Sequence, residues 1–105
     1  MGSASYVIGL GSNRPHGRHG PPCAVVTAAM AAMAAEGLAI RRVSAIARSP
    51  ALGPSSRDFA NAAVIVGSNL PPPALLALLK RIEHAFGRRR GQRWGARVID
   101  LDILA

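Results

Sequence analysis

The chain has 105 residues, 50% of them apolar, and a formal net charge of +8 at pH 7. This length predicts a single domain, over residues 1–105, built around one core. The excess of positive charge favours a polyanionic partner: a nucleotide, a nucleic acid or an anionic membrane. Cys23 is the only cysteine, which excludes an intrachain disulfide and a cysteine zinc cluster.

The N-terminal stretch MGSASYVIGLGS lacks the basic segment and the long apolar run of a signal peptide. The longest candidate for a membrane span is the alanine- and methionine-rich stretch over residues 23–35, about half the length that a bilayer requires. We therefore expect a soluble protein of the cytoplasm.

Six regular elements are predicted along the chain. In order, they are a strand at 6–10, a helix from the proline pair at 21–22 to 36, strands at 38–47 and 58–67, a helix that follows a turn at 68–73 and ends at 87, and a strand at 98–104. The segments NRPHGRHGPP, RSPALGPSSR and RRRGQRWGAR, rich in glycine, proline or arginine, are predicted loops.

The two predicted helices carry apolar residues at helical spacing. In the first, Val26, Met30 and Met33 form a stripe, and Gly37 favours a helix end. The stripe of the second is the clearer one: Leu75, Leu78, Leu79, Ile82 and Phe86. The resulting order, β-α-β-β-α-β, predicts an α+β, ferredoxin-like fold, in which two helices cover one face of a four-stranded antiparallel sheet. The opposite face is where we expect the functional site.

Two of the five acidic residues, Asp100 and Asp102, lie in the last predicted strand. Side chains alternate along a strand, so these carboxylates share one face, about 7 Å apart at Cα. Two like charges this close repel each other, and a hard cation such as Mg²⁺ would offset the repulsion. The pair by itself leaves two interpretations open: both acids pair with nearby arginines, which the pattern alone favours, or they form a site for Mg²⁺ and a nucleotide.

Seven of the thirteen basic residues lie between positions 80 and 97: Lys80, Arg81, Arg88, Arg89, Arg90, Arg93 and Arg97. Arginine matches phosphate oxygens bidentately, so this segment, next to the aspartates, suits phosphoryl transfer. A solvated basic loop is an equal alternative at this point. The only tryptophan, Trp94, lies in the same loop and suits either packing or stacking on a flat ligand.

Phe59 and Asn61 share a face of the third predicted strand. An aromatic ring beside an amide suits a heteroaromatic ligand, because one stacks while the other donates and accepts hydrogen bonds. A core position is the alternative for Phe59. No P-loop or dinucleotide fingerprint is present, so a nucleotide would be held in another way.

Five segments, in order, carry a resemblance to a known family: GLGSN (9–13), SPALGP (49–54), DFANA (58–62), LLKRIEHAFGRRR (78–90) and RWGARVIDLDIL (93–104). Together they resemble the 6-hydroxymethyl-7,8-dihydropterin pyrophosphokinases of folate biosynthesis, whose signature is Arg-Trp-Gly-x-Arg followed by Asp-Leu-Asp-Ile. The resemblance implies transfer of pyrophosphate from ATP to the pterin hydroxymethyl group, which gives AMP.

The resemblance also implies roles for individual residues. Asp100 and Asp102 would bind two Mg²⁺ ions that bridge the ATP phosphates, and one of them would help to take the hydroxyl proton. Arg88 and Arg97 would hold the phosphates as part of the catalytic set, and Glu83 would lie near the nucleotide. The residues implied in pterin binding are Ser49, Pro50, Leu52, Phe59, Asn61 and Trp94. Trp94 would also close over the nucleotide.

The family usually continues for several dozen residues beyond the last strand, whereas this sequence stops at Ala105. We therefore expect the domain to lack that extension, and a truncated or non-catalytic relative that binds nucleotide or pterin is one alternative. An RNA-recognition module has the same topology and is a second alternative, but it requires exposed aromatic residues on the central strands. The expected partners are ATP and the pterin, without nucleic acid or membrane; the oligomeric state is not predicted.

Overall fold

A computed structural model describes residues 4–12, 20–49, 59–87 and 98–105 of the chain. Its elements, in chain order, are β1 (Ala4–Ser12), α1 (Pro22–Ala35), β2 (Ala39–Val43), β3 (Ala47–Ser49), β4 (Phe59–Ser68), α2 (Pro72–Ala85) and β5 (Asp100–Ile103). Among these residues, neither helix has the length and apolarity that a membrane crossing needs.

The strands form one sheet in the order β2-β4-β1-β5, with β3 also paired to β4. Every pairing is antiparallel. Because β4 lies between β1 and β2 and runs against both, the unit β1-α1-β2 skips one strand position. This is the split βαβ arrangement, and the predicted ferredoxin-like fold is confirmed.

The strand predicted over 38–47 is divided in the structure. β2 and β3 lie one after the other along the same edge of β4, since β1 occupies its other edge. At the break, the Ser44 N–H donates to the Ala63 carbonyl oxygen and the Ala63 N–H donates to Ser44 Oγ, both at 2.9 Å. The loop predicted to begin at residue 48 is therefore wrong at its start, because Arg48 and Ser49 pair with β4.

Proline and glycine mark the helix ends. Each helix begins with a proline at its first position, where the missing N–H leaves no hydrogen bond unmade. Gly37 and Gly87 follow the two helices with φ of +98° and +129°, a conformation that favours glycine. The helix ends predicted from Gly37 and Gly87 are thus confirmed.

The apolar stripe predicted for α2 is confirmed, but that for α1 is only partly correct. In α2, Leu75, Leu78, Leu79 and Ile82 are buried, as predicted. In α1 the buried residues are Val25, Val26, Ala29 and Met33, while Met30 is only half-buried. Alanine occupies so many positions of α1 that apolar residues alone do not distinguish its two faces.

The two faces of the sheet differ in composition. The face toward the helices is apolar: Ile8, Leu10, Ala60, Val64, Val66, Ile99 and Leu101 are all buried. Alternation places Phe59, Asn61, Asp100 and Asp102 on the opposite face, and each of them is exposed. The core therefore fixes which side chains point toward this second face, the open face of the sheet.

Candidate active site

Strand β5 presents both of its aspartates to the open face. Ile99 and Leu101 are 1% and 0% exposed on the helix side, while Asp100 and Asp102 are exposed on the other. The sharing of one face by the two acids, predicted from alternation, is confirmed.

Strand pairing places these aspartates in two rows with residues of β4. Gly11 pairs with Asp100 on one side and with Asn61 on the other. In the next row, Gly9 pairs with Asp102 on one side and with Ala63 on the other. The carboxylates and the amide are thus separated by a strand that presents only hydrogen atoms at these two positions.

The two glycines of β1 provide space rather than an unusual backbone conformation, because neither has a positive φ. A Cβ at Gly11 would lie 2.9 Å from Asn61 Oδ1, and a Cβ at Gly9 would lie 3.0 Å from Leu104 Cδ1. Side chains here would crowd both neighbours. Glycine therefore keeps the centre of this face open.

A cavity of about 600 Å³ lies over these rows. Its lining consists of Gly9, Leu10, Gly11, Ser12, Phe59, Asn61, Ala62, Asp100, Asp102 and Leu104. The volume falls within the usual range for small-molecule sites. Phe59, which is 46% exposed, is a rim residue of this cavity and does not belong to the core.

Two hydrogen bonds fix β5 and the segment before it against β1. The Ser12 hydroxyl, which is buried, donates to the Val98 carbonyl oxygen at 2.6 Å. At the other end, the Leu104 N–H donates to the Val7 carbonyl oxygen at 2.7 Å. The strand that carries the aspartates is therefore held at both of its ends.

Glu83 lies elsewhere than the other described site residues. Its side chain extends from α2 into the interior and is not part of the cavity lining. Oε2 accepts a hydrogen bond from the Leu101 N–H at 2.7 Å, and Oε1 lies 3.3 Å from Lys80 Nζ. The nucleotide contact implied by the resemblance stays a prediction.

The aspartate pair has the donor chemistry that Mg²⁺ requires. Mg²⁺ takes one or two carboxylates and completes its octahedron with water and phosphate oxygens. Within the described ranges, no three His, Cys, Asp or Glu side chains gather as a possible metal site. Two exposed carboxylates beside an open cavity fit Mg²⁺ that also binds a phosphate better than an ion enclosed by protein.

Several predicted site residues lie outside the described part of the chain, namely Pro50, Leu52, Arg88, Trp94 and Arg97. Ser49 belongs to β3, where its backbone pairs with Phe59 at the edge of the cavity. The roles assigned to these six residues stay predictions.

Sequence reasoning overlooked the part that Gly9, Gly11 and Ser12 play in forming the cavity. The available signal was the alternation in β1, where the large residues Ile8 and Leu10 are followed by Gly9 and Gly11. A strand that is apolar on one face and bare on the other indicates close approach by a ligand or another chain.

The central strands also bear on the RNA-recognition alternative. On the open face, β1 shows Gly9 and Gly11, and Tyr6 lies on the other face, where its hydroxyl donates to the Leu70 carbonyl oxygen at 2.9 Å. Among the described residues of the two central strands, Phe59 is the single aromatic residue on the open face. A stacking platform for RNA bases needs more than one.

Comparison with known families shows which family the chain belongs to. Residues 7–105 match the family described as 7,8-dihydro-6-hydroxymethylpterin-pyrophosphokinase. The chain belongs to this family. Membership explains the signature around Asp100 and Asp102, and it favours the pyrophosphokinase interpretation over the RNA-recognition module.

Curated relatives agree with this membership. Proteins named 2-amino-4-hydroxy-6-hydroxymethyldihydropteridine pyrophosphokinase are similar to the chain in three bacteria. The Synechocystis sp. protein is 39% identical over 99 residues, which are 93% of this chain and 48% of that protein. The Methylorubrum extorquens protein is 42% identical over 100 residues, which are 93% of this chain and 60% of that protein. The Pseudomonas putida protein is 36% identical over 97 residues, which are 92% of this chain and 78% of that protein. The chain thus spans about half to three-fifths of the first two pyrophosphokinases.

Proposed function

We propose that this chain transfers the pyrophosphoryl group of ATP to 6-hydroxymethyl-7,8-dihydropterin, with release of AMP, as a step of folate biosynthesis in the cytoplasm. The observation that carries the proposal is the row of paired residues Asn61–Gly11–Asp100. It brings an amide that suits a pterin ring and a carboxylate that suits a cation into one cavity. The partners are then two small molecules, ATP and the pterin, and neither nucleic acid nor membrane.

In this proposal, Asp100 and Asp102 would hold two Mg²⁺ ions, the number that the family resemblance implies, next to the phosphates of ATP. Bound Mg²⁺ would neutralise charge on the phosphate oxygens as the bond between the α- and β-phosphates breaks. One of the two aspartates would take the proton of the pterin hydroxyl group as the hydroxyl oxygen bonds to the β-phosphorus, the bond from that phosphorus to the α-phosphate oxygen breaks, and AMP leaves.

Asn61 and Phe59 account for recognition of the pterin. A carboxamide offers two donors and an acceptor, which suits the mixed donor and acceptor edge of a pterin ring. Phe59 is exposed at the rim, and an aromatic ring there can stack on the flat heterocycle. The bare backbone at Gly11 leaves the space between the amide and Asp100 for the ring itself.

Arg88, Arg97 and Trp94 complete the proposed nucleotide site, and Ser49, Pro50 and Leu52 the pterin pocket. Support for Arg97 is chemical and sequential: a guanidinium binds phosphate oxygens bidentately, and the next residue, Val98, accepts a hydrogen bond from Ser12, which lines the cavity.

AMP release tests this proposal directly. The purified 105-residue chain is incubated with ATP, Mg²⁺ and the pterin, and AMP is quantified, with Asp100→Asn as the control. Pterin-dependent AMP that disappears in the control is the expected result. A folded chain that binds neither ATP nor the pterin would contradict the proposal.

Binding of ATP with Mg²⁺ and binding of the pterin by a folded chain, without AMP formation in the same sample, would contradict the transfer reaction.

A further inference from the structure

Leu101 lies between the two aspartates, and its backbone N–H points away from β1. The Leu104 N–H donates to Val7, and in an antiparallel ladder this orientation recurs at every second residue. The N–H groups of Asp100 and Asp102 therefore point toward β1. That of Leu101 points to the outer side of β5.

A buried carboxylate accepts this outward N–H. Glu83, 4% exposed, reaches from α2, and its Oε2 lies 2.7 Å from the Leu101 nitrogen. Lys80 approaches the other oxygen at 3.3 Å. Among the described residues, Glu83 is the single buried residue with a charged side chain. Leucine could fill this buried position without the free-energy cost of desolvating a carboxylate. What glutamate adds over leucine is the hydrogen bond to the Leu101 N–H.

We propose that Glu83 is a positioning residue for the cation site. This inference rests on the proposed function of Asp100 and Asp102. β5 has only four residues, and a slip of one residue would turn both aspartates toward the core. In a slipped register, the outward N–H would belong to a neighbouring residue and would miss the carboxylate. The bond from Glu83 to Leu101 therefore holds the register in which both acids face the cavity.

Three variants separate this role from packing and from charge. Glu83→Leu removes the acceptor and keeps the volume, Glu83→Gln keeps an acceptor without the charge, and Glu36→Gln alters a glutamate that is exposed and 3.9 Å from Arg81. Each is titrated calorimetrically with ATP over a range of Mg²⁺ concentrations. Amide exchange at Leu101 is followed by NMR in the same proteins.

Glu83→Leu is expected to weaken Mg²⁺-dependent ATP binding roughly tenfold, the lower end of the effect of groups that orient metal ligands. Exchange at Leu101 should become faster in this variant. Glu83→Gln should stay within about threefold of the wild type, because the acceptor is retained. Glu36→Gln should match the wild type in both measurements.

Normal binding by Glu83→Leu, together with faster exchange at Leu101, would overturn the inference. Equal weakening in Glu83→Leu and Glu83→Gln would overturn it as well, because charge would then be the cause. If Glu83→Leu does not fold, Glu83→Asp replaces it, because the shorter side chain places the carboxylate one methylene farther from the Leu101 N–H. Faster amide exchange at Leu101 with unchanged Mg²⁺-dependent ATP binding in this variant would overturn the inference. Failure of the wild type to bind ATP with Mg²⁺ would instead refute the proposed function itself.

Discussion

Asn61 and Asp100 lie on opposite sides of Gly11, in one row that crosses three adjacent strands. Neighbouring strands are about 4.8 Å apart, so about 10 Å separates the two backbones. An amide and a carboxylate at this spacing can contact opposite ends of one bicyclic ligand. In the proposed function, Asn61 would recognise the heterocycle at one end of this row while Asp100 would act at its substituent at the other end.

The aspartates are expected to be essential for binding and not for folding. Asp100→Asn and Asp102→Asn should each reduce Mg²⁺-dependent ATP affinity by roughly 100-fold or more, since even groups one layer away from a metal contribute about 10- to 100-fold. Both side chains are exposed, so the melting temperature should change little. Calorimetric titration with and without Mg²⁺ measures the effect, and unchanged affinity would remove the metal site from the proposal.

Asn61→Ala is expected to separate the two ligands. Loss of hydrogen bonds from an amide to a bound heterocycle costs about 1–3 kcal/mol, which corresponds to roughly five- to 150-fold weaker pterin binding. ATP binding should remain at the wild-type level because the carboxylates are untouched. Equal loss of both ligands, measured in parallel titrations, would point to a general defect of the sheet.

The two glycines of β1 offer a matched pair of substitutions. In Gly11→Ala the new methyl group would lie 2.9 Å from Asn61 Oδ1, so the amide must turn away and pterin affinity should fall at least as far as in Asn61→Ala. In Gly9→Ala the methyl group would meet Leu104, an exposed side chain that can move, so pterin affinity should fall less.

Neither glycine has a positive φ, so both proteins should fold. Thermal unfolding of the two variants provides the control for their pterin titrations. A larger loss of pterin affinity in Gly9→Ala than in Gly11→Ala would contradict the assignment of Asn61 as the pterin ligand.

Alanine substitution of the two phenylalanines should affect two different properties, pterin binding and stability. Phe59 is 46% exposed, so Phe59→Ala should weaken pterin binding by the value of a stacking contact, about 0.5–1.5 kcal/mol, with little change in stability. Phe86 is buried, and Phe86→Ala should destabilise the fold by about 3–5 kcal/mol. Urea unfolding and pterin titration of both variants test this. A large loss of stability in Phe59→Ala would show that Phe59 belongs to the core.

Much of the fold follows from local features of the sequence. Proline and glycine marked both ends of each helix, and the apolar stripe of α2 identified its buried face, because these signals act within a turn or two. α1 shows where such reasoning weakens: its many alanines leave little contrast between faces, and Met30, a member of the predicted stripe, is only half-buried. The break between β2 and β3 was missed for a different reason, since Ser44 bridges it through contacts with distant Ala63.

By itself, the sequence determined that Asp100 and Asp102 share a face and that Phe59 and Asn61 share one, because alternation is a property of any extended strand. Only the tertiary structure decided that Gly11 stands between Asn61 and Asp100 and that Glu83 meets the N–H of Leu101. Those contacts join residues that lie 18 or more positions apart. Their formation depends on how the strands pair and how the helices pack over them, which no local pattern specifies.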